Sequence, residues 1–411
     1  MITARAVIVF SLMSLFLCFE MALQVSPGVM TAELREALHI SAYGLGMMSG
    51  CYFVTYSLMQ IPSGLMYDRA NFRMLVTITI SICAVGAGVF GLADSLITGV
   101  AARLLMGFGS AFAFLSVLTV AARCFPSRYF AFLTGIAQLL AALGAIAGEI
   151  PIAWAVNHIG WRQTLWALMA LGLLLAACVW IFLKKPQEHC KVQMADKPES
   201  SRSSLQHIVK NKQTWWIACY AFFNWAPVTA FASLWGVPFL ATSYQISTQE
   251  AASLCSLIWL GIGLSSPFIG ALSDRIGRRK PLLALTALIG GISIAIIIYV
   301  PGMSMSLLGT LLFLAGMGSS GQILSFAVVQ DFAAPSRISA SIGFNNMALV
   351  ASGVIMQPLV GKLLAWNDGI SSTIQTYTIS SFQHALITLP LAFSACVIIS
   401  LFFIKETFTK N

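Results

Sequence analysis

Three ionisable side chains sit inside long apolar stretches of this chain: Glu20, Arg103 and Glu149. A bare charge at membrane depth is costly and is seldom kept without a partner or a task. Glu20 lies about 14 residues into the first stretch, ~21 Å from its start at the helical rise. Arg103 lies about 7 residues into the fourth stretch, ~10 Å deep. Glu149 reads as lying toward the far end of the fifth. An acid beside an arginine, in a site that opens and closes, can take up and release a proton. Glu20 is therefore read as a proton-coupling carboxyl. Arg103 is its electrostatic partner and an anchor for a substrate carboxylate. The bland alternative for Arg103 is a structural ion pair with Glu20. Glu149 joins the set, although simple hydration near the membrane surface is the favoured explanation of it.

Polar and aromatic residues form a weaker second group. Gln24 follows Glu20 by one helical turn and shares its face. Tyr52 and Tyr56, with Gln60, make a stripe on the second stretch. Asn224, Trp225 and Thr229 flank Pro227 in the seventh, where a proline frees backbone groups. Ser320 and Gln322 follow the glycines of the tenth, and Asn345 opens the eleventh. Each alone is more often an interhelical hydrogen bond than a ligand contact. Their projected convergence makes a substrate cavity of them. There is no nucleophile elbow, no HExxH and no GxxxxGK[ST]. That excludes these enzyme classes and an ATP-driven pump, and no cofactor or metal is expected.

What positions these residues must be a membrane bundle. Hydrophobic residues make up 58% of the chain and charged residues 9%. A soluble domain carries roughly 25% charged residues. Twelve stretches are long enough to cross a bilayer, which takes about 20 residues each. They run near 6–29, 41–65, 73–93, 96–121, 129–153, 163–183, 214–241, 250–272, 281–300, 304–330, 338–363 and 382–404. The fold class is thus an all-α membrane protein. The net charge of +9 does not indicate nucleic acid. All of the 23 Lys and Arg except Arg35, Arg103, Arg162 and Lys362 fall on one side of the stretches. Such a bias places both termini in the cytoplasm, and anionic lipid headgroups are a by-product partner. The nine cysteines are scattered and read as apolar packing rather than disulfides or metal ligands.

The chain repeats itself. Gly64-Leu65-Met66-Tyr67-Asp68-Arg69-Ala70-Asn71-Phe72-Arg73 returns as Gly270-Ala271-Leu272-Ser273-Asp274-Arg275-Ile276-Gly277-Arg278-Arg279, 206 positions on. Gly107-Phe108-Gly109-Ser110 returns as Gly316-Met317-Gly318-Ser319 at an offset of 209, and Pro126-Ser127-Arg128 as Pro335-Ser336-Arg337 at the same offset. Two fused copies of one six-helix unit follow, with boundaries at 1–183 and 213–411 and a polar linker over 184–212. At that offset Arg103 meets Leu312. The arginine belongs to one copy only, which marks it as a functional addition.

These residues resemble the major facilitator superfamily over nearly the whole chain. The charged turn is similar to its G-x-x-x-D-R-x-G-x-[RK] loop, with Asn71 replacing glycine in the first copy. Arg103-Leu104-Leu105-Met106-Gly107-Phe108-Gly109 resembles its R-x-x-x-G-x-G element. Gly148-Glu149-Ile150-Pro151 departs from the G-P-x-x-G element of antiporter branches. The resemblance implies twelve transmembrane helices in two pseudo-symmetric bundles, with spans 1, 4, 7 and 10 lining a central cavity. Asp68, Arg69, Arg73, Asp274, Arg275, Arg278 and Arg279 are expected to latch the cytoplasmic face shut through helix-end contacts. The expected function is secondary active transport by alternating access. An acid and a base in one cavity suit an amino acid or short peptide, taken up with protons by a monomer in a bacterial inner membrane. Two alternatives stand beside it: a proton-driven drug or metabolite efflux antiporter, and a non-transporting membrane sensor.

Overall fold

The computed structural model describes residues 4–126, 130–183, 208–333, 338–367 and 377–407, with only the backbone described at 65, 68, 69, 130–132, 338, 339 and 367. The expected linker falls largely outside these residues. Among them the structure is helical throughout, and eleven helices are long and apolar enough to cross a membrane. The remaining crossing is made by two helices in tandem, Ala42–Leu58 and Gln60–Arg69. Pro62 explains the break. It has no N–H to give the Leu58 carbonyl one turn back, and the chain turns at Met59. Twelve crossings result, as the apolar stretches predict. Lipid cannot hydrogen-bond the backbone, so each crossing satisfies its own backbone groups as a helix.

The duplication is visible in the packing. A Cβ on Gly107 would run into the Tyr52 carbonyl, and one on Gly316 would run into the Ile258 carbonyl. Gly109 faces the Thr79 carbonyl, and Gly318 faces the Thr286 carbonyl. The same glycines thus let the fourth span approach the second and third, and the tenth approach the eighth and ninth. The fourth span breaks after Ser110 and the tenth after Ser319, at matching positions of the repeat. Gly107→Ala is expected to destabilise the bundle by about 1–3 kcal/mol, because the added methyl meets backbone rather than a side chain that can move. Gly135→Ala, with no atom within 4 Å of its built Cβ, serves as the reference. Thermal unfolding of both in detergent checks this, and equal midpoints would remove the close-packing argument.

The halves meet where spans 2 and 11 cross and where spans 5 and 8 cross. Gly50 lies against the Gly353 carbonyl, and Gly263 lies against Ala142. Ser57 donates to the Met347 carbonyl at 2.9 Å, and the Asn346 amide donates to Gln60 Oε1 at 2.6 Å. Toward the face opposite the termini, the Ala42 N–H donates to the Tyr377 hydroxyl at 3.1 Å, and Gly28 packs on Ser233. Cys124 at the end of the fourth span is disulfide-bonded, an exception to the expectation of free thiols.

Candidate functional site

The first-half core gathers five of the expected residues. Glu20 is 0% exposed, and its Oε1 accepts the Tyr52 hydroxyl at 2.9 Å. Tyr56 stands beside Tyr52, ring centroids 5.8 Å apart. Glu20 Oε2 is buried without a protein partner. Arg103 is also 0% exposed, with its guanidinium 4.5 Å over the Tyr52 ring.

No ion pair joins Arg103 to Glu20 among the described residues, so the bland alternative of a structural pair does not hold. The reason lies in the first span. Its helix ends at Val25 and continues as a 3-10 turn over Ser26–Val29. Pro27 cannot donate to the Leu23 carbonyl. Arg103 Nη1 donates to Leu23 O at 3.0 Å, and Nη2 donates to Gln24 O at 3.3 Å. The Ser26 hydroxyl adds a bond to Leu23 O at 3.0 Å. Arg103 therefore binds the negative end of a helix, and the Tyr52 ring stands between it and the acid. Its Nε is left unpartnered. The Gln24 side chain is buried beside this site.

The second-half candidates divide. Asn224 is buried, its amide donates to the Gly318 carbonyl at 3.2 Å, and its Oδ1 is unpartnered. Asn345 donates to Ser325 Oγ at 2.9 Å and also leaves Oδ1 unpartnered. These two retain free acceptors. Thr229 bonds Ser352 Oγ at 3.0 Å, and its carbonyl accepts from Gln357 at 2.8 Å. Pro227 precedes a π-helix over Val228–Trp235, the register slip that a missing N–H favours. The Ser320 hydroxyl is spent on the Met317 carbonyl at 2.6 Å. The carbonyl of Gln322 accepts from Ser325 at 2.6 Å. Both then belong to the break in the tenth span. Trp225 is half-buried, its ring 6.4 Å from that of Trp259.

No hydrogen bond or ion pair joins Glu149 to Glu20 or Arg103 among the described residues, and Glu149 is not near a hydrated surface. It lies ten residues before the helix end at Ile159, ~15 Å deep at the helical rise, and is 1% exposed. Its Oε1 accepts the Trp259 indole N–H at 3.0 Å. Trp259 was not singled out by the sequence.

The charged turns work within a half rather than between halves in the contacts described. Arg279 binds Asp274 at 2.9 Å and Asp331 at 3.0 Å. Burial works against its charge, and the bonds to Asp331 and Asp274 more than offset this, so its pKa is raised. Glu406 accepts from the Arg279 and Lys280 N–H groups, and the Thr407 hydroxyl donates to Asp331. The network ties the ends of spans 8, 9, 10 and 12. Gly277 adopts φ +70°, which closes the eighth span. The first copy does without this glycine because Asn71 caps the third span, accepting from the Met74 N–H at 3.2 Å. Arg73 stacks 3.7 Å over Trp180, and Arg275 and Arg278 are exposed. The side chains of Asp68 and Arg69 lie outside the described residues. Asp331→Asn is expected to lower the apparent melting temperature by about 2–4 °C, a loss of ~1 kcal/mol for a partly exposed pair. An unchanged midpoint would show the network to be energetically idle.

A sequence profile described as the Major Facilitator Superfamily matches residues 12–356 and 219–410. The chain belongs to that superfamily. The hexuronate transporter of Bacillus subtilis (strain 168) is 24% identical over 351 residues, 80% of this chain and 81% of that one. The probable sulfoacetate transporter SauU of Cupriavidus necator is 22% identical, matched over 64% of this chain and 63% of its own length. Among solved structures, a bacterial homologue of the human lysosomal transporter Spinster, inward-facing and unoccupied, superposes with a TM-score of 0.78 at 15% identity over the whole of both chains. That likeness speaks to the fold alone. This superfamily member is a multi-pass membrane protein and a secondary transporter.

Proposed function

We propose that this superfamily member takes up a small organic anion together with protons, by alternating access, with both termini in the cytoplasm. The enclosed Glu20 carboxyl carries the reading. One oxygen is held by Tyr52 and the other has no protein partner. A bare carboxylate there is costly, and a proton on Oε2 removes the charge. When the cavity hydrates, the charged form is tolerated and the proton can leave.

This use of Glu20 bears on the substrate. A zwitterion needs an acid that stays charged to meet its ammonium group, and a carboxyl that carries the transported proton cannot serve. An anion needs only a cation, and Arg103 retains an unpartnered Nε. Relatives named for hexuronate and sulfoacetate support an acid over the amino acid or peptide suggested by the sequence.

The test is uptake into proteoliposomes under an imposed pH gradient. Hexuronates and sulfoacetate would be compared with a panel of amino acids. Accumulation of an acid that follows the proton gradient is the expected result. Accumulation of amino acids alone would reverse the substrate reading. Anion uptake indifferent to the gradient would remove the proton.

A further inference from the structure

The Glu149–Trp259 bond joins a carboxyl of the first half to an indole of the second, deep in the membrane. It sits where spans 5 and 8 cross. Gly144 and Gly148 press the fifth span against the first at Cys18 and Ala22, and Ala142 packs on Gly263 across the interface. The carboxyl is therefore held rigidly from its own side. Its Oε2 has no hydrogen-bond partner, and across the interface its Oε1 takes the Trp259 indole N–H, with the Cys255 thiol a second neighbouring donor. Cys255, one helical turn from Trp259 and fully buried, lies beside the same carboxyl. On its other side Trp259 meets Trp225 edge to face.

We infer that Glu149 and Trp259 form a polar latch between the halves, which holds spans 5 and 8 together just outward of their Ala142–Gly263 contact and has to break whenever the outer face opens. A rocking motion that separates these spans moves the indole away from a carboxyl fixed to the other half. In a dry interface the lost bond is not replaced until water enters, so the latch makes the opening all-or-none. Trp225 carries the effect of the cavity onto the latch, because a ligand that shifts its ring shifts Trp259. Glu149 is on this reading a positioning residue. It acts through Trp259 and touches no substrate.

External labelling of Cys255 by a membrane-impermeant maleimide measures the opening directly, with Cys255→Ser giving the background. It needs neither substrate nor pH gradient, so its failure is distinct from failure of the proton–anion reading. Trp259→Phe and Glu149→Ala are expected to raise the labelling rate about ten-fold, the worth of one buried hydrogen bond. Glu149→Gln keeps an amide oxygen for the indole and should stay within about two-fold of the wild type on the same scale. A wild-type rate in both Trp259→Phe and Glu149→Ala overturns the latch, as does a Glu149→Gln variant as loose as Glu149→Ala. If Trp259→Phe does not fold, the contrast between the two Glu149 variants decides.

Discussion

Glu20→Gln is expected to abolish proton-driven accumulation while leaving exchange of substrate across the membrane nearly intact. With one proton moved per substrate, a gradient of one pH unit supports about ten-fold accumulation, since one unit corresponds to a factor of ten. The variant should come to equal concentrations on both sides. Glutamine is nearly isosteric and its Oε1 can still accept the Tyr52 hydroxyl, so the packing around the acid is kept. What it cannot do is bind and release a proton as the site closes and opens. Counterflow into preloaded vesicles separates these effects, because exchange needs no net proton movement. Gradient-driven accumulation equal to the wild type would remove Glu20 from coupling. Loss of both accumulation and exchange would make Glu20 a structural or substrate-binding group instead. Tyr52→Phe is the companion variant: it takes away the donor to Oε1 and leaves the carboxyl able to titrate.

The sequence revealed the bundle because lipid imposes a simple rule on it. A helix that must hide its backbone and cover it with apolar side chains leaves a long, unmistakable run. The repeat was equally legible through Gly107, Gly109, Gly316 and Gly318, where backbone meets backbone and no other residue fits without a shift. The candidate site was readable only as a set of residue types. Glu20 and Tyr52 do meet, but which groups partner Arg103 depends on Pro27, on a span distant in sequence from Arg103. The clue was present: a proline four residues after Leu23 announces a carbonyl in need of a donor. Asp331 and Glu406 had no such clue. Each lies at the end of a different span, and only the fold brings them to Arg279. Glu149 was misjudged in depth because its helix runs past the apolar stretch, to Ile159. Trp259 gave no signal that its indole would cross to the other half.

These assignments give the two halves unequal tasks. The second half holds itself together with polar side chains in its own core, Asn224 on Gly318 and Asn345 on Ser325. The first half carries the fully enclosed acids Glu20 and Glu149 and the fully enclosed cation Arg103. Alternating access asks two similar bodies to rock against each other. The proposed proton coupling asks that something in one of them change charge. Placing the ionic groups in one body satisfies both needs, since the other can keep its packing in every state.

Arg103→Leu tests that asymmetry, because leucine is what the second half already uses at the matching position, Leu312. There the helix crossing is preserved without an arginine, so packing alone should tolerate the change. In the first half, however, the change removes donors from the carbonyls of Leu23 and Gln24 and a cation from the Tyr52 ring. A buried carbonyl that loses its partner costs about 1–3 kcal/mol, and a desolvated cation–π contact is worth about 2 kcal/mol. The variant is therefore expected to lose its uptake and several degrees of thermal stability. Ser26 still bonds Leu23, so a folded fraction should survive for measurement. Arg103→Lys discriminates between the roles. A lysine keeps the charge but cannot reproduce the fork that meets two carbonyls at once. If the positive charge anchors the substrate, lysine should restore part of the uptake at a weakened affinity while the stability stays low. If the fork matters only for holding the end of the first span, lysine should fail on both counts. Normal transport by Arg103→Leu would sink the argument, because the arginine would then be dispensable in the half that alone retains it.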